Sequence, residues 1–390
     1  MKYDFDTPVD RRGSDSYKWA VGANDLPMWV ADMDFKTAPE IRAALQKRLD
    51  HGVFGYTEIP DAWYRAYIGW WERRHGFCME KDGLIFCTGV VPAISSIVRK
   101  LTTPNENVLI QSPVYNIFYN SILNNGCRVL ESPLTYENGA YSIDFDDLEA
   151  KLADPQTTLM ILCNPQNPIG KIWDRETLAN IGALARRHHV TVIADEIHCD
   201  LTEPGREYIP FASVSDDCKE VGITCIAPTK TFNLAGLQTA AVYVPNAVLR
   251  HKVRRGLNTD EVAEPNAFAT TAAVAAFEHG AEWLDALRVY LSENRCLVAE
   301  FLAAEVPFVR LVAGEATYLL WIDLCELRGG SRKIADFIRK ETGLYLSAGV
   351  AYGAAGDHFL RMNIACPRVT LKDGLERLKF GLNAYREQKI

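Results

Sequence analysis

Four residues whose side chains suit one chemistry follow one another at long spacing: Asn167, Asp195, Lys230 and Arg361. A lysine can condense with an aldehyde if burial or a cationic neighbour keeps its amine partly neutral. An aspartate can pair with a protonated ring nitrogen, an asparagine can donate to a phenolic oxygen, and an arginine can hold a carboxylate with two hydrogen bonds. Together the four residues would serve an aromatic aldehyde cofactor and an amino-acid carboxylate, and so they indicate pyridoxal phosphate.

Each of these residues also has a simpler interpretation when it is taken alone. Lys230 would be an exposed loop cation, and Asp195, which ends the apolar run VIA, would cap the following helix. Asn167 lies in NPQNPIG between two prolines, which fix φ and remove backbone donors, and this segment could be a plain turn. Arg361 would be a surface arginine on a strand. We favour the cofactor interpretation because all four occur in one chain.

Two further segments carry features that such a cofactor would need. The segment CTGVVPA, residues 87–93, links a predicted strand to a predicted helix. Its exposed amides and the positive end of the helix dipole would form a phosphate seat, and Gly89 would permit close approach. Tyr115, in SPVY, could stack on a pyridine ring, although a single tyrosine is more often part of a core.

Composition narrows the class of protein. A chain of 390 residues with 48% hydrophobic and 24% charged residues is typical of a globular enzyme. The formal net charge of −8 argues against nucleic acid as a partner. Neither a signal peptide nor a membrane-spanning run is recognised, and the ten cysteines include no C-x-x-C pair. We expect a cytoplasmic protein with reduced cysteines and no metal, although the acids, histidine and cysteine of residues 195–200 also suggest a metal site.

Strands and helices that alternate in the middle of the chain predict an α/β fold with a mostly parallel sheet. The predicted strands span residues 84–87, 107–110, 127–130, 158–163, 191–194, 223–227 and 240–244, and one predicted helix spans residues 175–188. Several candidate residues follow these strands, where open α/β sheets bind ligands.

Beyond about residue 260 the pattern changes. Residues 266–310 are predicted as an almost continuous helix, followed by strands at 317–322 and 359–363 and a helix at 332–342. We predict a large cofactor-binding domain of residues 46–280 and a smaller α+β domain of residues 1–45 and 281–390. The segment WVADMDF, residues 29–35, either passes close to the site or simply packs.

The motifs resemble those of fold-type I pyridoxal-phosphate enzymes, the aspartate aminotransferase-like fold, and within them the MalY/PatB-type C–S β-lyases, over essentially the whole chain. The matching segments are DRRGSDS (10–16), WVADMDF (29–35), FGYT (54–57), GVVPA (89–93), DEIH (195–198), TKTFN (229–233) and NIACP (363–367).

The resemblance implies roles for individual residues. Lys230 would carry the cofactor as an imine, Asp195 would pair with its ring nitrogen and Tyr115 would stack on its ring, and these three would be catalytic. The other implied contacts are Asn167 to the phenolic oxygen, His198 where aminotransferases have a tyrosine, Gly89, Val90, Val91 and Thr229 to the phosphate, and Arg361 with Asn167 to the substrate carboxylate. Tyr56 would reach the phosphate of the neighbouring subunit, which implies a homodimer.

Two positions depart from related patterns. Gln238 stands eight residues after Lys230, where many aminotransferases have a phosphate-binding arginine that C–S lyases commonly lack. Gln166 replaces a histidine that is common in the lyases; it could alter leaving-group recognition or have no effect.

The expected activity is β-elimination from L-cystathionine or L-cysteine-type S-substituted cysteines, giving pyruvate, ammonia and a thiol. The alternatives are a class I/II aminotransferase and a regulatory protein that binds a transcription factor.

Overall fold

The elements of the chain come from a computed structural model that describes residues 2–324 and 326–388. The strands are β1 Leu26–Pro27, β2 Leu84–Cys87, β3 Asn107–Ile110, β4 Arg128–Glu131, β5 Thr135–Glu137, β6 Ala140–Ser142, β7 Thr157–Cys163, β8 Thr191–Asp195, β9 Gly222–Ile226, β10 Ala240–Tyr243, β11 Arg310–Leu311, β12 Leu319–Asp323, β13 Leu344–Tyr345, β14 Ser347–Ala348 and β15 Phe359–Asn363. The α-helices are α1 Pro39–His51, α2 Asp61–His75, α3 Val90–Leu101, α4 Ile117–Leu123, α5 Phe145–Leu152, α6 Arg175–Arg187, α7 Asp216–Val221, α8 Pro228–Thr231, α9 Ala247–Thr259, α10 Ala269–His279, α11 Ala281–Glu305, α12 Ser331–Thr342 and α13 Arg368–Glu387.

The central sheet has seven strands in the order β2-β10-β9-β8-β7-β3-β4. Strand β10 is antiparallel to both of its neighbours, and the other neighbouring pairs are parallel. The seven strands predicted from the sequence are these seven, and each predicted boundary lies within one residue of the observed one. The predicted mostly parallel α/β sheet is therefore confirmed.

Both faces of this sheet are covered by helices. Successive side chains of a strand point to opposite faces. Leu159 and Ile161 of β7 accordingly pack in one core with residues of α3 and α9, whereas Met160 and Leu162 pack in another with residues of α6. Such burial on both faces explains why the strands are almost wholly apolar. Within the described ranges, no helix has the length and apolarity needed to cross a membrane.

A second sheet, of order β11-β12-β15-β14, lies in the C-terminal part of the chain and is antiparallel throughout. The N-terminal segment joins this part, since β1 pairs in parallel with β13. The division into residues 46–280 and residues 1–45 with 281–390 stays a prediction, and helix α1 spans its first boundary. The predicted strands at 317–322 and 359–363 correspond to β12 and β15, and the predicted helix at 332–342 corresponds to α12.

The prediction of one nearly continuous helix over residues 266–310 is wrong. Helix α10 ends at His279 and α11 begins at Ala281, with Gly280 between them. A Cβ atom at position 280 would overlap the ring of Phe232 and lie 2.5 Å from the carbonyl oxygen of Ala276. The helix pattern continues through this point in sequence, and the close approach of Phe232, two residues after Lys230, leaves no room for a side chain at position 280.

Substitution Gly280→Ala is expected to lower the free energy of unfolding by about 1–3 kcal/mol, because the added methyl group overpacks a closed contact. Urea unfolding measures this loss. The matched control is Gly236→Ala, where a Cβ atom meets nothing within 4 Å. Equal stability of the two variants would contradict the packing argument.

Candidate active site

The site lies where five strands of the central sheet end together. Because β10 reverses direction between them, β2 and β9 point the same way, and both end beside the start of β10. Strands β3, β7 and β8 are parallel to β9, so their carboxyl ends lie at this same edge. The segments that follow carry, in chain order, Gly89, Tyr115, Asn167, Asp195 and Lys230. Sheet topology thus gathers residues that are far apart in sequence.

Lys230 is partly buried in the short helix α8, directly after β9. Its Nζ atom donates a hydrogen bond to the carbonyl oxygen of Ala31 at 2.6 Å. Burial lowers the pKa of Lys230 to about 8; the positive charge of Arg361 acts in the same direction, whereas Asp32 and Asp195 oppose it. A substantial fraction of the amine is therefore neutral near pH 7–8, which is the form that attacks an aldehyde.

Residues 29–35, which we name the N-terminal strap, contact the Lys230 side chain through the carbonyl oxygen of Ala31. Side chains from three distant segments bind the strap's carbonyl oxygens: Arg361 Nη2 to Trp29 (2.7 Å), Asn363 Nδ2 to Val30 (2.6 Å) and Asp32 (2.7 Å), Tyr318 Oη to Ala31 (3.1 Å), and Asn233 Nδ2 to Met33 (3.0 Å) and Phe35 (2.9 Å). Of the two interpretations of WVADMDF, passage close to the site is the correct one.

Asp195 ends β8 and is buried. Its Oδ1 atom accepts a hydrogen bond from the amide of Ile197 at 3.1 Å. Burial raises the pKa of Asp195 to about 7, although that amide and the charge of Lys230 act against the rise. A buried carboxyl group with a raised pKa lacks a close cationic partner, and a protonated pyridine nitrogen would be one.

Arg361, on β15, is buried beside Asn167. Its Nη1 atom donates to Asn167 Oδ1 at 3.2 Å, and its guanidinium lies 4.8 Å from the ring centroid of Tyr352. Its Nε atom is buried and has no hydrogen-bond partner among the described residues. A guanidinium with a spare donor, next to a buried amide, can receive a carboxylate.

The ring of His198 packs edge-on against the ring of Tyr318, with ring centroids 6.3 Å apart. Burial lowers the pKa of His198 to about 3, assisted by the charges of Lys230 and Arg361. The imidazole is consequently neutral at physiological pH, and its buried Nδ1 atom has no partner among the described residues. Tyr115 is partly buried on the neighbouring loop, and burial raises its pKa to about 12.

The residues that are predicted to bind the cofactor phosphate lie at the amino end of α3 and in α8. Gly89 is the N-cap of α3, and Val90 and Val91 are its first two residues, whose amides have no partner within the helix. Thr229 is buried one residue before Lys230. Gln238 is exposed in a left-handed conformation with φ 50°. Tyr56 is not brought into this chain's site, because its side chain is fully exposed.

Gln166 is buried and turned towards the loop that carries Tyr115. Its Nε2 atom donates to the carbonyl oxygens of Gln111 and Pro113, each at 3.0 Å. This side chain therefore ties the loop after β7 to the loop after β3. The two hypotheses for this position, altered leaving-group recognition and no effect, stay predictions.

The acid-rich segment after β8 contributes to a second polar cluster that the sequence pattern did not reveal. His75, at the end of α2, meets Cys199 and Asp200, with ligand atoms within 4.8 Å of one another. Asp200 also accepts hydrogen bonds from Trp70 and Thr231. These donors engage the carboxylate as a structural acceptor beneath α8, in the way expected for a buried acid.

The site residues fit pyridoxal phosphate by the chemistry of their donors and acceptors. A cationic partner would stabilise the Asp195 carboxylate, and the free amides of α3 suit a phosphate. The buried Nδ1 of His198 and Nε of Arg361 have no partner among the described residues, and the charges of Lys230 and Arg361 both act on His198. Sequence reasoning did not identify Asp32, Tyr318, Asn233 and Asn363 as parts of the site. The motifs WVADMDF, TKTFN and NIACP contained three of them, but their contacts depend on tertiary structure.

Comparison with known proteins agrees with this description. The family model of aminotransferase class I and II matches residues 23–378. The cystathionine beta-lyase PatB of Bacillus subtilis is 43% identical over 385 residues, covering 97% of this chain and 100% of that protein. Protein MalY of Escherichia coli is 33% identical, with 98% and 100% coverage. Cystalysin of Treponema denticola, whose crystal structure contains pyridoxal 5'-phosphate, superposes with a TM-score of 0.95 at 31% identity, with 98% and 100% coverage.

The chain belongs to the aminotransferase class I and II family, and its fold is that of the fold-type I pyridoxal-phosphate enzymes. Within that family it is similar to the PatB and MalY proteins along nearly its whole length. The predicted family and fold are thereby confirmed, and the predicted cofactor is the one that cystalysin contains.

Substitution Asp195→Asn is expected to stabilise the cofactor-free chain at pH 8. A carboxyl group whose pKa is raised from 3.8 to about 7 on folding destabilises the folded state as pH rises through this interval, and one pKa unit corresponds to about 1.4 kcal/mol. Urea unfolding should show the variant more stable than the parent by at least about 1 kcal/mol at pH 8, with a much smaller difference at pH 4. Addition of pyridoxal phosphate should stabilise the parent more than the variant. A variant no more stable than its parent at pH 8 would contradict the electrostatic account.

Proposed function

We propose that the protein is a pyridoxal-phosphate-dependent C–S β-lyase that acts on S-substituted L-cysteines such as L-cystathionine or L-cysteine. The observation that carries the proposal is the full-length similarity to PatB at 43% identity, in a chain whose site can hold both the cofactor and an amino-acid carboxylate. The cofactor is pyridoxal 5'-phosphate. It supplies an electron sink for the substrate α-carbon when bound.

The chain's own residues orient the substrate and move its proton. Arg361 and Asn167 hold the α-carboxylate, and this places the α-hydrogen on the side of Lys230. The Lys230 nitrogen, with its pKa lowered to about 8, removes that proton at neutral pH. The Cβ–S bond then breaks with its electron pair on sulfur, and the thiolate takes up a proton. With one water consumed, the products are a thiol, pyruvate and ammonium.

The remaining residues hold the cofactor. The amides at Gly89, Val90 and Val91, with Thr229, bind its phosphate, and Asp195 keeps its ring nitrogen protonated. Tyr115 would stack on the cofactor ring, and His198, which is neutral and packs against Tyr318, would lie beside it. Gln238 is exposed, so the phosphate relies on amides and hydroxyl groups.

A homodimer would complete the site. Tyr56 is fully exposed in the single chain and lies in a stretch where Val53 and Phe54 are also exposed. Exposed apolar residues in one segment are typical of an interface. We propose that Tyr56 reaches the cofactor phosphate of the neighbouring subunit.

Purified protein incubated with L-cystathionine or L-cysteine, and without a keto acid, is expected to release pyruvate. Lys230→Ala should abolish that release, because it removes the amine that holds the cofactor and takes up the proton, while Gln238→Ala, which alters an exposed side chain, should retain most of it. A coupled lactate dehydrogenase assay measures pyruvate. Consumption of the amino acid only when a keto acid is added would instead identify an aminotransferase.

A heterodimer of a Tyr56→Ala chain and a Lys230→Ala chain, isolated by two different affinity tags, is expected to recover about half of the parent activity. One of its two sites then combines an intact Lys230 with an intact Tyr56 from the other subunit. The matched control pairs Lys230→Ala with Asp195→Asn, which act in the same subunit, so neither site is intact. No recovery in the first heterodimer would refute the shared site.

A further inference from the structure

The N-terminal strap carries an acid next to its contact with the lysine. Asp32 follows Ala31, whose carbonyl oxygen accepts the hydrogen bond from Lys230. Oδ2 of Asp32 accepts from Arg11 Nη2 at 2.7 Å. Oδ1 is buried and has no hydrogen-bond partner among the described residues; Nζ of Lys18 is 3.9 Å from it. A buried carboxylate oxygen without a donor is uncommon, and it leaves one side of the charge available to the site.

The position of Asp32 is fixed on several sides. Its own carbonyl oxygen accepts from Asn363 Nδ2 at 2.7 Å and from Lys18 Nζ at 3.2 Å. Arg11 also binds Asp34 on the same strap, with Nη1 to Oδ1 at 2.7 Å, and Lys18 binds the other oxygen of Asp34 at 2.8 Å. This network holds the carboxylate in one position, beside the residue whose carbonyl oxygen binds Lys230, and a change of that position would break charged hydrogen bonds.

We propose that Asp32 is a positioning residue whose carboxylate stabilises the protonated nitrogen of Lys230, and that Arg11 limits the strength of this effect. The proposal deepens the proposed function, since it rests on Lys230 as the cofactor lysine and proton acceptor. Once Lys230 holds the substrate's proton, the carbonyl oxygen of Ala31 and the carboxylate of Asp32 together receive the ammonium group on the strap side. The proton is thereby kept within reach of the departing sulfur.

The other groups around Lys230 do not replace this partner. Asp195 also favours the protonated amine but acts on the pKa of Lys230 less strongly than Asp32 does, and it is assigned to the ring nitrogen. Arg361 acts in the opposite direction, and His198 is neutral because its pKa is lowered to about 3. Tyr318 shares the carbonyl oxygen of Ala31, and burial raises its pKa, with Asp32 adding to the rise, so it too is neutral.

The test is a pH titration of the visible absorbance of the holoenzyme, which reports the protonation of the Lys230 nitrogen. In Asp32→Asn the midpoint is expected to fall by about one pH unit, because an opposite charge that favoured protonation is removed. In Arg11→Gln the midpoint is expected to rise, because the carboxylate is less neutralised. General damage to the strap would not shift the midpoints of the two variants in opposite directions.

Asp34→Asn is the matched control, since it removes the same charge from the same strap two residues further on. Its midpoint should move less than half as far as that of Asp32→Asn. An unchanged midpoint in Asp32→Asn, or an equal shift in both aspartate variants, would overturn the proposal. If Arg11→Gln fails to bind the cofactor, the comparison of the Asp32→Asn and Asp34→Asn midpoints still tests the proposal. Pyruvate release by the parent protein is independent of these midpoints, so failure here leaves the lyase assignment standing.

Discussion

The hydrogen bond from Lys230 to the carbonyl oxygen of Ala31 joins the two parts of the chain on which the site depends. Lys230 belongs to the edge of the central sheet, whereas Ala31 belongs to the strap. The strap is held in turn by Arg361 and Asn363 of the C-terminal sheet. The lysine that we propose to hold the cofactor and the arginine that we propose to bind the substrate carboxylate are consequently linked through one short segment. A shift of the strap would move the amine and the guanidinium together.

Burial, rather than ion pairing, is the main cause of the shifted pKa values of the site's ionisable side chains. Burial lowers the pKa of Lys230 to about 8 and that of His198 to about 3, and it raises the pKa of Asp195 to about 7. Each shift disfavours the charged form, as desolvation does. The neighbouring Glu196 follows the same rule, since burial raises its pKa to about 8 although Tyr208 and the amide of Phe211 donate to it. Such perturbed groups in one cavity are typical of functional sites.

Much of this arrangement was accessible from the sequence because it follows from local rules. Short apolar runs separated by amphipathic segments gave the seven strands of the central sheet, and residues after strand ends gave Asn167, Asp195 and Lys230. The break at Gly280 was missed because the helical periodicity is unchanged there, and the close packing of Phe232 against this glycine is a tertiary contact. His75 was missed as a neighbour of Asp200 because 125 residues separate them. The strap was recognised as a motif, but its bonds to Asn233 and Asn363 depend on how both sheets meet.

Gln166 illustrates how a substitution in a motif can retain a structural purpose. Its side chain donates to the carbonyl oxygens of Gln111 and Pro113, four and two residues before Tyr115. The next residue, Asn167, accepts a hydrogen bond from Arg361. One short segment therefore links the loop that carries the predicted ring-stacking tyrosine to the predicted carboxylate-binding arginine. An imidazole has two ring nitrogens, of which the neutral form donates only one, whereas a single amide nitrogen has two hydrogens to donate. The glutamine thus satisfies both carbonyl oxygens at once, and the loop geometry can be maintained without the histidine that is common in the C–S lyases.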